Sequence, residues 1–378
     1  MRILHIGLPN GFTEGMQYQD NFLTDYNIMA GHNVIYVTCT KKFEKGEIVD
    51  TEEEDITLDN GLRLIRYKYD SLLFSLLTEK IQKVRKLRGV LQDFQPDSIM
   101  YHGVCGYELL DVANYVKRNP ETLFYVDSHE NFGNTARTRL SKFAYKYIHG
   151  GFVKKALPYV KKILYLDEDC RLYLKEMYNI PDDKLEFYPL GGIIQSKDAQ
   201  EEARKHLLKR YNLPEDAIIF MHSGKMVKEK KTANLLRAFR NLSEKNIYMF
   251  IFGSVPDECK EEIMGLIDSD ERVFYLGWKS GDEITELLNA ADVYCQPGTP
   301  SVTSQVALCC GCAEIVYPII SYKLMYEDSV LFAETDNEIL LQLQKMTNQS
   351  ILNKYKEKGY QKACKILDYK KIAERYLK

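Results

Sequence analysis

Lysines are concentrated in the segment HSGKMVKEKKTANLLRAF (222–239), between two apolar patterns. The preceding residues AIIFM (217–221) predict a buried strand, and Leu235, Leu236 and Phe239 recur at helical spacing. The lysines therefore stand at a helix N-terminus, where the helix dipole disfavours cations. A bound anion would explain them, since charge-assisted hydrogen bonds of roughly 1.5–3 kcal/mol exceed the cost of a misplaced lysine. The alternative is a solvated charged turn.

The loop after the first predicted strand is a second candidate. It reads PNGFTEGMQYQ (9–19) and precedes a predicted helix. Its glycines predict either a tight turn or a close approach of the backbone to a phosphate or sugar. The candidate residues of this loop are Gly11, Glu14, Gly15, Tyr18 and Gln19.

Two histidines stand at the ends of predicted strands in the first half of the chain. His129 ends TLFYVDSH (122–129), and His102 lies in SIMYHGV (98–104). Ligands of parallel α/β sheets bind beyond the carboxyl ends of the strands. Each histidine is therefore a candidate for substrate contact, with a structural role as the alternative.

The elements that would position these residues alternate between strand and helix. Strands are predicted at 2–8, 33–39, 98–104, 122–129, 162–168 and 186–191, and after a polar segment at 217–221, 247–254, 273–277, 292–298 and 313–318. Residues 17–31 predict an amphipathic helix with Phe22, Leu23, Tyr26 and Met29 on one face, and residues 51–69 predict a surface hairpin. Two successive runs of this kind predict two doubly wound, Rossmann-like α/β domains that face each other across a cleft.

Composition and charge narrow the class of protein. The chain has 378 residues, of which 45% are hydrophobic and 28% charged, with a formal net charge of −3. This balance is typical of a globular protein and argues against bulk nucleic-acid binding. Nine cysteines without a recognisable signal peptide favour reduced thiols and a cytoplasmic location. We interpret Cys309, Cys310 and Cys312 as packing residues, because no second ligand pair stands at zinc spacing.

The order of motifs in the second half resembles family-4 glycosyltransferases with the GT-B fold. Gly224, Lys225 and Lys230 are similar to the glycine-arginine…lysine-glycine diphosphate motif of that family, with Lys231 in place of the last glycine. MFIFGS, ending near Gly253, and VFYLGWKSGDEITELLNAADVYCQPG follow in the family's order. The opening EGMQYQDNFLTDYNIMAGHNVIYVT resembles members from surface-polysaccharide pathways.

One signature of the family is missing from this sequence. The family carries two glutamates separated by seven residues, which contact the donor sugar and the ribose. The corresponding positions here are Gly298 and Val306. We expect the donor site to be lined instead by Gly298, Thr299, Ser301, Thr303 and Gln305. The resemblance also places Trp278 near the nucleotide base, where stacking and plain packing remain alternatives.

The resemblance implies three regions. Residues 1–195 would form the acceptor domain, 196–355 the nucleotide-sugar donor domain, and 356–378 a helix that packs back on the first domain. It implies transfer of a sugar from a UDP- or GDP-type nucleotide sugar, which is a co-substrate rather than a cofactor, to a glycan or lipid-linked acceptor. We expect retention of anomeric configuration and no metal site. A non-catalytic GT-B protein that binds a glycan or supports a partner transferase, and a sugar-nucleotide epimerase, are the alternatives.

Residues 136–162 are rich in lysine and arginine and contain no acidic residue. Leu140, Phe143, Ala144 and Tyr147 form an apolar helical face beside these charges. Such a helix either lies on an anionic membrane, here on its cytoplasmic side, or covers a buried stripe with a solvated basic face.

Overall fold

The computed structural model describes residues 1–9, 11–44, 47–71, 78 and 81–378. These residues divide into two compact units. Unit 1 comprises Met1–Pro189 and Tyr369–Lys378, and unit 2 comprises Leu190–Asp368. The chain thus enters unit 2 at Leu190 rather than at residue 196, and it returns to unit 1 at Tyr369 rather than at residue 356. The later return has a physical cause, because Gln349–Ile366 is one continuous helix that buries Leu352 and Ala363 within unit 2.

Sixteen strands form the sheets of the described residues. They are β1 (Arg2–Gly7), β2 (Asn33–Cys39), β3 (Lys41–Glu44), β4 (Glu47–Asp50), β5 (Glu54–Thr57), β6 (Arg63–Tyr67), β7 (Ser98–His102), β8 (Leu123–Ser128), β9 (Lys162–Tyr165), β10 (Leu185–Phe187), β11 (Ile218–Ser223), β12 (Ile247–Phe252), β13 (Val273–Tyr275), β14 (Val293–Gln296), β15 (Ala313–Val316) and β16 (Leu331–Phe332).

The α-helices separate most of these strands. They are α1 (Gln19–Met29), α2 (Leu87–Phe94), α3 (Glu108–Arg118), α4 (Arg139–Ala144), α5 (Gly150–Ala156), α6 (Glu168–Tyr178), α7 (Lys197–Arg210), α8 (Thr232–Arg240), α9 (Asp257–Asp268), α10 (Gly281–Ala290), α11 (Val302–Cys309), α12 (Ile320–Tyr326), α13 (Asp336–Met346), α14 (Gln349–Ile366) and α15 (Tyr369–Ile372). No helix within the described ranges is long and apolar enough to cross a membrane.

The sheet of unit 1 has eight strands in the order β10-β9-β8-β7-β1-β2-β6-β5. Every neighbouring pair is parallel except β5 and β6. The order reverses between β7 and β1, which is the place where ligands bind in open parallel sheets. The predicted hairpin at 51–69 exists, but its second strand is not a surface element, since Leu64 and Ile65 are buried in the sheet.

Helix α1 buries most of the predicted apolar face, with Phe22 and Tyr26 packed against the core, but it also buries polar residues. Leu23 is buried as expected, whereas Met29 is 78% exposed. Thr24 and Asn27 are buried in its place. The opposing face of the sheet carries polar groups, so α1 meets it with polar side chains.

Unit 2 contains a six-stranded parallel sheet in the order β13-β12-β11-β14-β15-β16. The apolar strand residues pack on both faces of this sheet, against helices that include α8, α9 and α13 on one face and α7, α10 and α11 on the other. Both units are therefore doubly wound α/β folds. The predicted packing role of Cys309, Cys310 and Cys312 agrees with the burial of all three side chains.

Candidate functional site

Three loops of unit 2 are packed backbone against backbone at the carboxyl ends of their strands. Gly224 follows β11, Gly253 follows β12, and Gly298 follows β14. A Cβ atom on Gly253 would lie 2.1 Å from the carbonyl oxygen of Gly224, and one on Gly298 would lie 2.2 Å from that of Glu229. Only glycine fits these contacts, so the three loops form one close-packed surface.

Lys230 connects two of these loops through its ammonium group. Its Nζ donates to the carbonyl oxygens of Thr299 and Pro300, at 3.1 and 3.2 Å. An ammonium group has three donors, so one remains for a ligand. Burial lowers the pKa of Lys230. The charge is thus partly withdrawn from water, where its attraction for an anion is stronger.

The neighbouring lysines differ from Lys230 and from each other. Lys225 is exposed beside Gly224, whereas Lys231 donates to the carbonyl oxygen of Glu334 at 2.6 Å. Lys231 has φ +56° at the start of α8, a left-handed conformation. Glycine adopts this conformation without steric cost. This conformation explains why the family that the sequence resembles has a glycine at this position. Lys231 adopts the same conformation with some backbone strain.

Buried polar side chains support the lysine loop from below. His222 lies 2.8 Å from the carbonyl oxygen of Cys295 through Nδ1 and 2.8 Å from the hydroxyl of Thr232 through Nε2. Burial lowers the pKa of His222 to about 4, so the ring is neutral. Because a carbonyl can only accept, Nδ1 carries the proton and Nε2 accepts from Thr232. This bond holds the first residue of α8 on the end of β11.

A second buried chain of hydrogen bonds supports the loop after β14. The hydroxyls of Ser223 and Tyr294 are 2.8 Å apart, and Tyr294 donates to the side chain of Gln296 at 3.1 Å. Gln296 in turn donates to the carbonyl oxygen of Thr299 at 2.7 Å. The sequence analysis did not identify these residues as candidates, although the polar side chains of Tyr294 and Gln296 in β14 were a signal.

The predicted donor-site residues after Gly298 form the start of α11. The hydroxyl of Ser301 accepts from the backbone amide of Thr303 at 3.3 Å and caps the helix. Thr303 is half-buried, while Gln305 is buried with an unpaired side-chain oxygen. Both residues therefore belong to this helix start, but Thr303 is the more accessible of the two.

The structure gives a reason for the glycine that replaces the first glutamate. Any side chain at Gly298 would meet the backbone of Glu229 and Lys230. A carboxyl group nearby instead comes from Glu314 on β15, whose Oε2 accepts from Ser304 at 2.9 Å. Glu314 is fully buried, and burial raises its pKa well above the usual range. It is a group enclosed by the fold rather than a substitute for the missing ligand contact.

Trp278 lies in the loop after β13 and is 74% exposed. Of the two alternatives left by the sequence, this exposure excludes packing in the core of the unit. Its indole is therefore accessible from solvent.

In unit 1, His129 is exposed directly after β8, and the half-buried Glu130 follows it. Burial raises the pKa of Glu130 to about 7, against the hydrogen bond that Tyr178 donates at 3.4 Å. Glu130 is thus a titratable group at a strand end. The sequence analysis did not name it as a candidate site residue.

The two glycines of the loop after β1 have different surroundings. A Cβ on Gly11 would lie 2.4 Å from the carbonyl oxygen of Lys41, whereas Gly15 has open space around it. Glu14 pairs with the buried Arg66 at 2.5 Å. Gly11 and Glu14 therefore shape the loop, whereas the space beside Gly15 is open.

Two other residues of this region complete the predicted set. Tyr18 is 49% exposed, and Gln19 is buried with both side-chain amide atoms unpaired among the described residues.

His102 is not at an open loop, because it is buried between Asp127 and His5. Its Nδ1 lies 2.6 Å from Asp127 Oδ2, and its Nε2 lies 3.0 Å from His5 Nδ1. Burial opposes the charge on His102, but Asp127 and Asp20 outweigh it and raise its pKa to about 9. Burial and the charge of His102 lower the pKa of His5 to about 3.

This polar group extends to α1 and to the last residues of the chain. His5 Nε2 lies 3.1 Å from Asn27 Oδ1, which also accepts from the hydroxyl of Tyr376 at 2.5 Å. Asn27 donates to the carbonyl oxygen of Ala373 at 3.1 Å. These contacts explain why α1 buries a polar face.

The first helical part of the basic segment, residues 140–148, presents large apolar side chains to solvent. Leu140 is 81% exposed, and Phe143, Tyr147 and Ile148 are exposed as well. Lys142 and Lys146 lie on the same stretch. The alternative of a basic face above a buried stripe therefore does not describe residues 140–148, but it does describe α5, where Val153 and Ala156 are buried beside the exposed Lys154 and Lys155.

Comparison with known proteins agrees with this description. Residues 203–359 match the family model described as "Glycosyl transferases group 1". This matched part of the chain contains the lysine loop and is similar to the group 1 glycosyltransferase domain. No curated protein matches the sequence.

Solved structures show that the whole chain has the GT-B fold. A glycosyltransferase from Rickettsia africae has 13% identity and a TM-score of 0.68, with 100% of this chain and 97% of that one covered. HepE from Anabaena, in complex with UDP, has 12% identity and a TM-score of 0.65, with 99% and 98% covered. WaaG, involved in lipopolysaccharide biosynthesis, has 14% identity and a TM-score of 0.60, with 98% of both chains covered.

Proposed function

We propose that this protein transfers a sugar from a UDP- or GDP-type nucleotide sugar to a glycan or lipid-linked acceptor in polysaccharide biosynthesis. The observation that carries the proposal is the lysine surface of unit 2. Lys225 is exposed and Lys230 has a spare donor, and both adjoin close-packed glycine loops at a helix N-terminus. Backbone amides and cations in this arrangement suit a diphosphate. The UDP bound to HepE supports the same class of ligand.

The chemical contribution of this surface would be to stabilise the leaving diphosphate. Negative charge develops on the leaving group as the glycosidic bond breaks, and preorganised donors in a partly desolvated site stabilise it. We propose that lysines and helix amides supply the charge that a divalent ion supplies elsewhere. Nucleotide affinity should then be the same with and without a chelator, and a loss restored by Mn²⁺ would contradict this.

Unit 1 would bind the acceptor at its carboxyl strand ends. Exposed His129 is the residue we expect to contact the transferred sugar, and Gly15 and Tyr18 the loop that approaches the acceptor. Transfer with retention of configuration follows from the family-4 resemblance. Because both glutamates are absent, this stereochemistry must be tested by measuring the anomeric configuration of the product.

A two-part experiment tests the proposal. UDP, GDP and other nucleoside diphosphates are first compared for thermal stabilisation, because a ligand that binds the folded state raises the melting temperature. Release of the nucleoside diphosphate from the corresponding nucleotide sugar is then measured with candidate acceptors. Binding without turnover would favour the non-catalytic GT-B alternative, which the glycine at 298 and the valine at 306 also suggest. Interconversion of the nucleotide sugar without an acceptor would identify an epimerase.

We also propose that residues 136–162 contact an anionic membrane surface from the cytoplasmic side. Exposed Leu140, Phe143 and Tyr147 beside Lys142 and Lys146 provide both an apolar and an electrostatic contribution, the latter about 1 kcal/mol for each basic residue near the surface. Vesicles with anionic lipid should bind the protein, and salt should release it. Phe143→Ser should weaken binding, whereas equal partitioning to neutral vesicles would contradict the proposal.

A further inference from the structure

Three ligand-type side chains that are distant in sequence meet at the carboxyl edge of the sheet in unit 1. His102 and Asp127 are paired neighbours on the parallel strands β7 and β8. Asp20, the second residue of α1, lies against them, with its Oδ1 3.4 Å from His102 Nδ1. One donor atom from each residue lies within 4.8 Å of the other two.

The remaining polar atoms of these side chains are held by other groups. His102 Nε2 is bonded to His5, Asp127 Oδ1 accepts from the amide of Gly103 at 3.1 Å, and Asp20 Oδ2 accepts from the hydroxyl of Tyr36 at 2.6 Å. Metal ligands are oriented in this way, by a second partner for the atom that does not bind the ion. The three inner donor atoms are thus directed at one another.

The charge of the cluster points to a cation. Two carboxylates face one imidazole, so an excess negative charge remains even when the imidazole is protonated. In the described part of the chain, no lysine or arginine forms a hydrogen bond or ion pair with any of the three side chains. Asp127 is fully buried, and an uncompensated buried charge is costly. A divalent ion with a neutral imidazole would make the cluster neutral.

We infer that Asp20, His102 and Asp127 form a binding site for a divalent first-row transition ion such as Zn²⁺. One nitrogen and two oxygen donors suit this class of ion. Bonds of about 2.0–2.2 Å place ligand atoms roughly 3.3–3.5 Å apart. The pair Asp20–His102 already has this spacing. The 2.6 Å contact between His102 and Asp127 must open by somewhat less than about 1 Å when the ion replaces the shared proton.

The ion would join α1 to two strands of the sheet. Asp20 is partly exposed, with 21% of its side chain accessible, which provides a route for the ion and a position for water. The site is separate from the lysine surface of unit 2 and does not depend on sugar transfer. Its experiment therefore needs neither a nucleotide nor an acceptor.

The test measures metal in the full-length protein after loading with Zn²⁺, Mn²⁺ or Mg²⁺ and removal of free ion. We expect about one equivalent of Zn²⁺, a raised melting temperature, and affinity in the order Zn²⁺ above Mn²⁺ above Mg²⁺. Asp20→Asn should weaken Zn²⁺ binding at least 10-fold. Its matched control is Asp25→Asn, which changes a partly exposed carboxylate on the same helix that contacts Asn60 instead.

Binding through cysteines must be distinguished from binding at this cluster. Co²⁺ held by thiolates absorbs strongly in the near ultraviolet through sulfur-to-metal charge transfer, whereas a site of nitrogen and oxygen donors lacks this band. We expect no such band, and loss of the weak visible bands in Asp20→Asn. Zn²⁺ binding that is equal in the wild type, Asp20→Asn and Asp25→Asn would overturn the inference, as would no binding at all.

Discussion

At the carboxyl edge of the sheet in unit 1, His102 and Asp127 are buried and bonded to each other. At the corresponding edge in unit 2, Lys225 is exposed and Lys230 keeps one donor free. The two edges have the same topology, but their charged groups differ in what they can still bind. A polyanion can reach the lysines directly, whereas only a small ion could enter between the groups of unit 1. Equivalent positions in two related folds can thus serve ligand binding in one and internal cohesion in the other.

The largest effect should come from removing a buried partner in unit 1. Asp127→Ala leaves the imidazole of His102 buried without its carboxylate, and breaking such a pair costs roughly 3–5 kcal/mol of unfolding free energy. Denaturant unfolding followed by circular dichroism measures this loss. The control is His129→Ala, which alters an exposed residue two positions away and should change stability by less than about 0.5 kcal/mol. Similar losses of unfolding free energy in both variants would contradict the proposed difference between the two edges.

Removal of a lysine in unit 2 should affect binding more than stability. Lys225→Ala or Lys230→Ala deletes one charge-assisted contact, which weakens nucleoside diphosphate binding about 10- to 100-fold, or roughly 1.5–3 kcal/mol. Calorimetric titration gives the affinity. Lys228→Ala is the control, because Lys228 is exposed in the same loop and leaves the glycine contacts intact. If all three variants keep the wild-type affinity, the lysine surface does not bind the diphosphate.

The pH dependence of stability should reveal another buried carboxyl group in unit 1. Burial raises the pKa of Glu108 to about 8, so the folded protein holds a proton that the unfolded chain loses above about pH 4.3. The unfolding free energy contributed by this group is fully present below pH 4.3 and falls by up to about 1.4 kcal/mol per pH unit between there and pH 8.

Glu108→Gln should remove this component, because glutamine resembles the protonated acid. We therefore expect the difference in stability between the variant and the wild type to grow from pH 5 to pH 8 in favour of the variant. Parallel pH profiles of the two proteins would show that Glu108 is ionised in the fold.

The smallest expected effect concerns the ribose. Without carboxylates at Gly298 and Val306, neutral partners would contact the ribose, and these are roughly half as strong as charged ones. Ribo- and 2′-deoxyribonucleoside diphosphates should then differ in affinity by less than about 10-fold, or 1.4 kcal/mol. Val306→Glu should increase the preference if the pocket geometry is retained. Strong discrimination by the wild type would mean that another residue binds the ribose.

The sequence was sufficient to predict the doubly wound folds. Continuous apolar runs indicate buried parallel strands, and glycines indicate the turns that follow them. It was also sufficient to bring Gly224, Lys225 and Lys230 to one loop, because they are close in the chain. It failed for α1, where apolar spacing selected Met29 and the structure buries Asn27. The reason is that His5 and His102 make the facing side of the sheet polar. These two residues meet only because β1 and β7 are neighbours in the sheet.

The same limitation applies to the cluster of Asp20, His102 and Asp127. These residues are separated by about 80 and 25 positions, so no spacing rule for metal ligands applies. Their approach depends on the neighbouring positions of β7 and β8 and on the placement of α1 against the sheet. By contrast, Glu314 lies close in sequence to Gly298 and Val306, and only its burial shows that it cannot replace a ligand-binding glutamate.

The chain interrupts unit 1 at Pro189 and resumes it at Tyr369, and this order has a consequence for biosynthesis. At roughly 5–20 residues per second, a ribosome needs about 10–40 s to make the intervening segment. During that time unit 1 lacks Tyr376, which donates to Asn27 and touches His5. Unit 2 is synthesised in one piece and is complete at Asp368, before the last segment of unit 1 is made. The nascent protein should therefore acquire its lysine surface before the polar interior of unit 1 is closed.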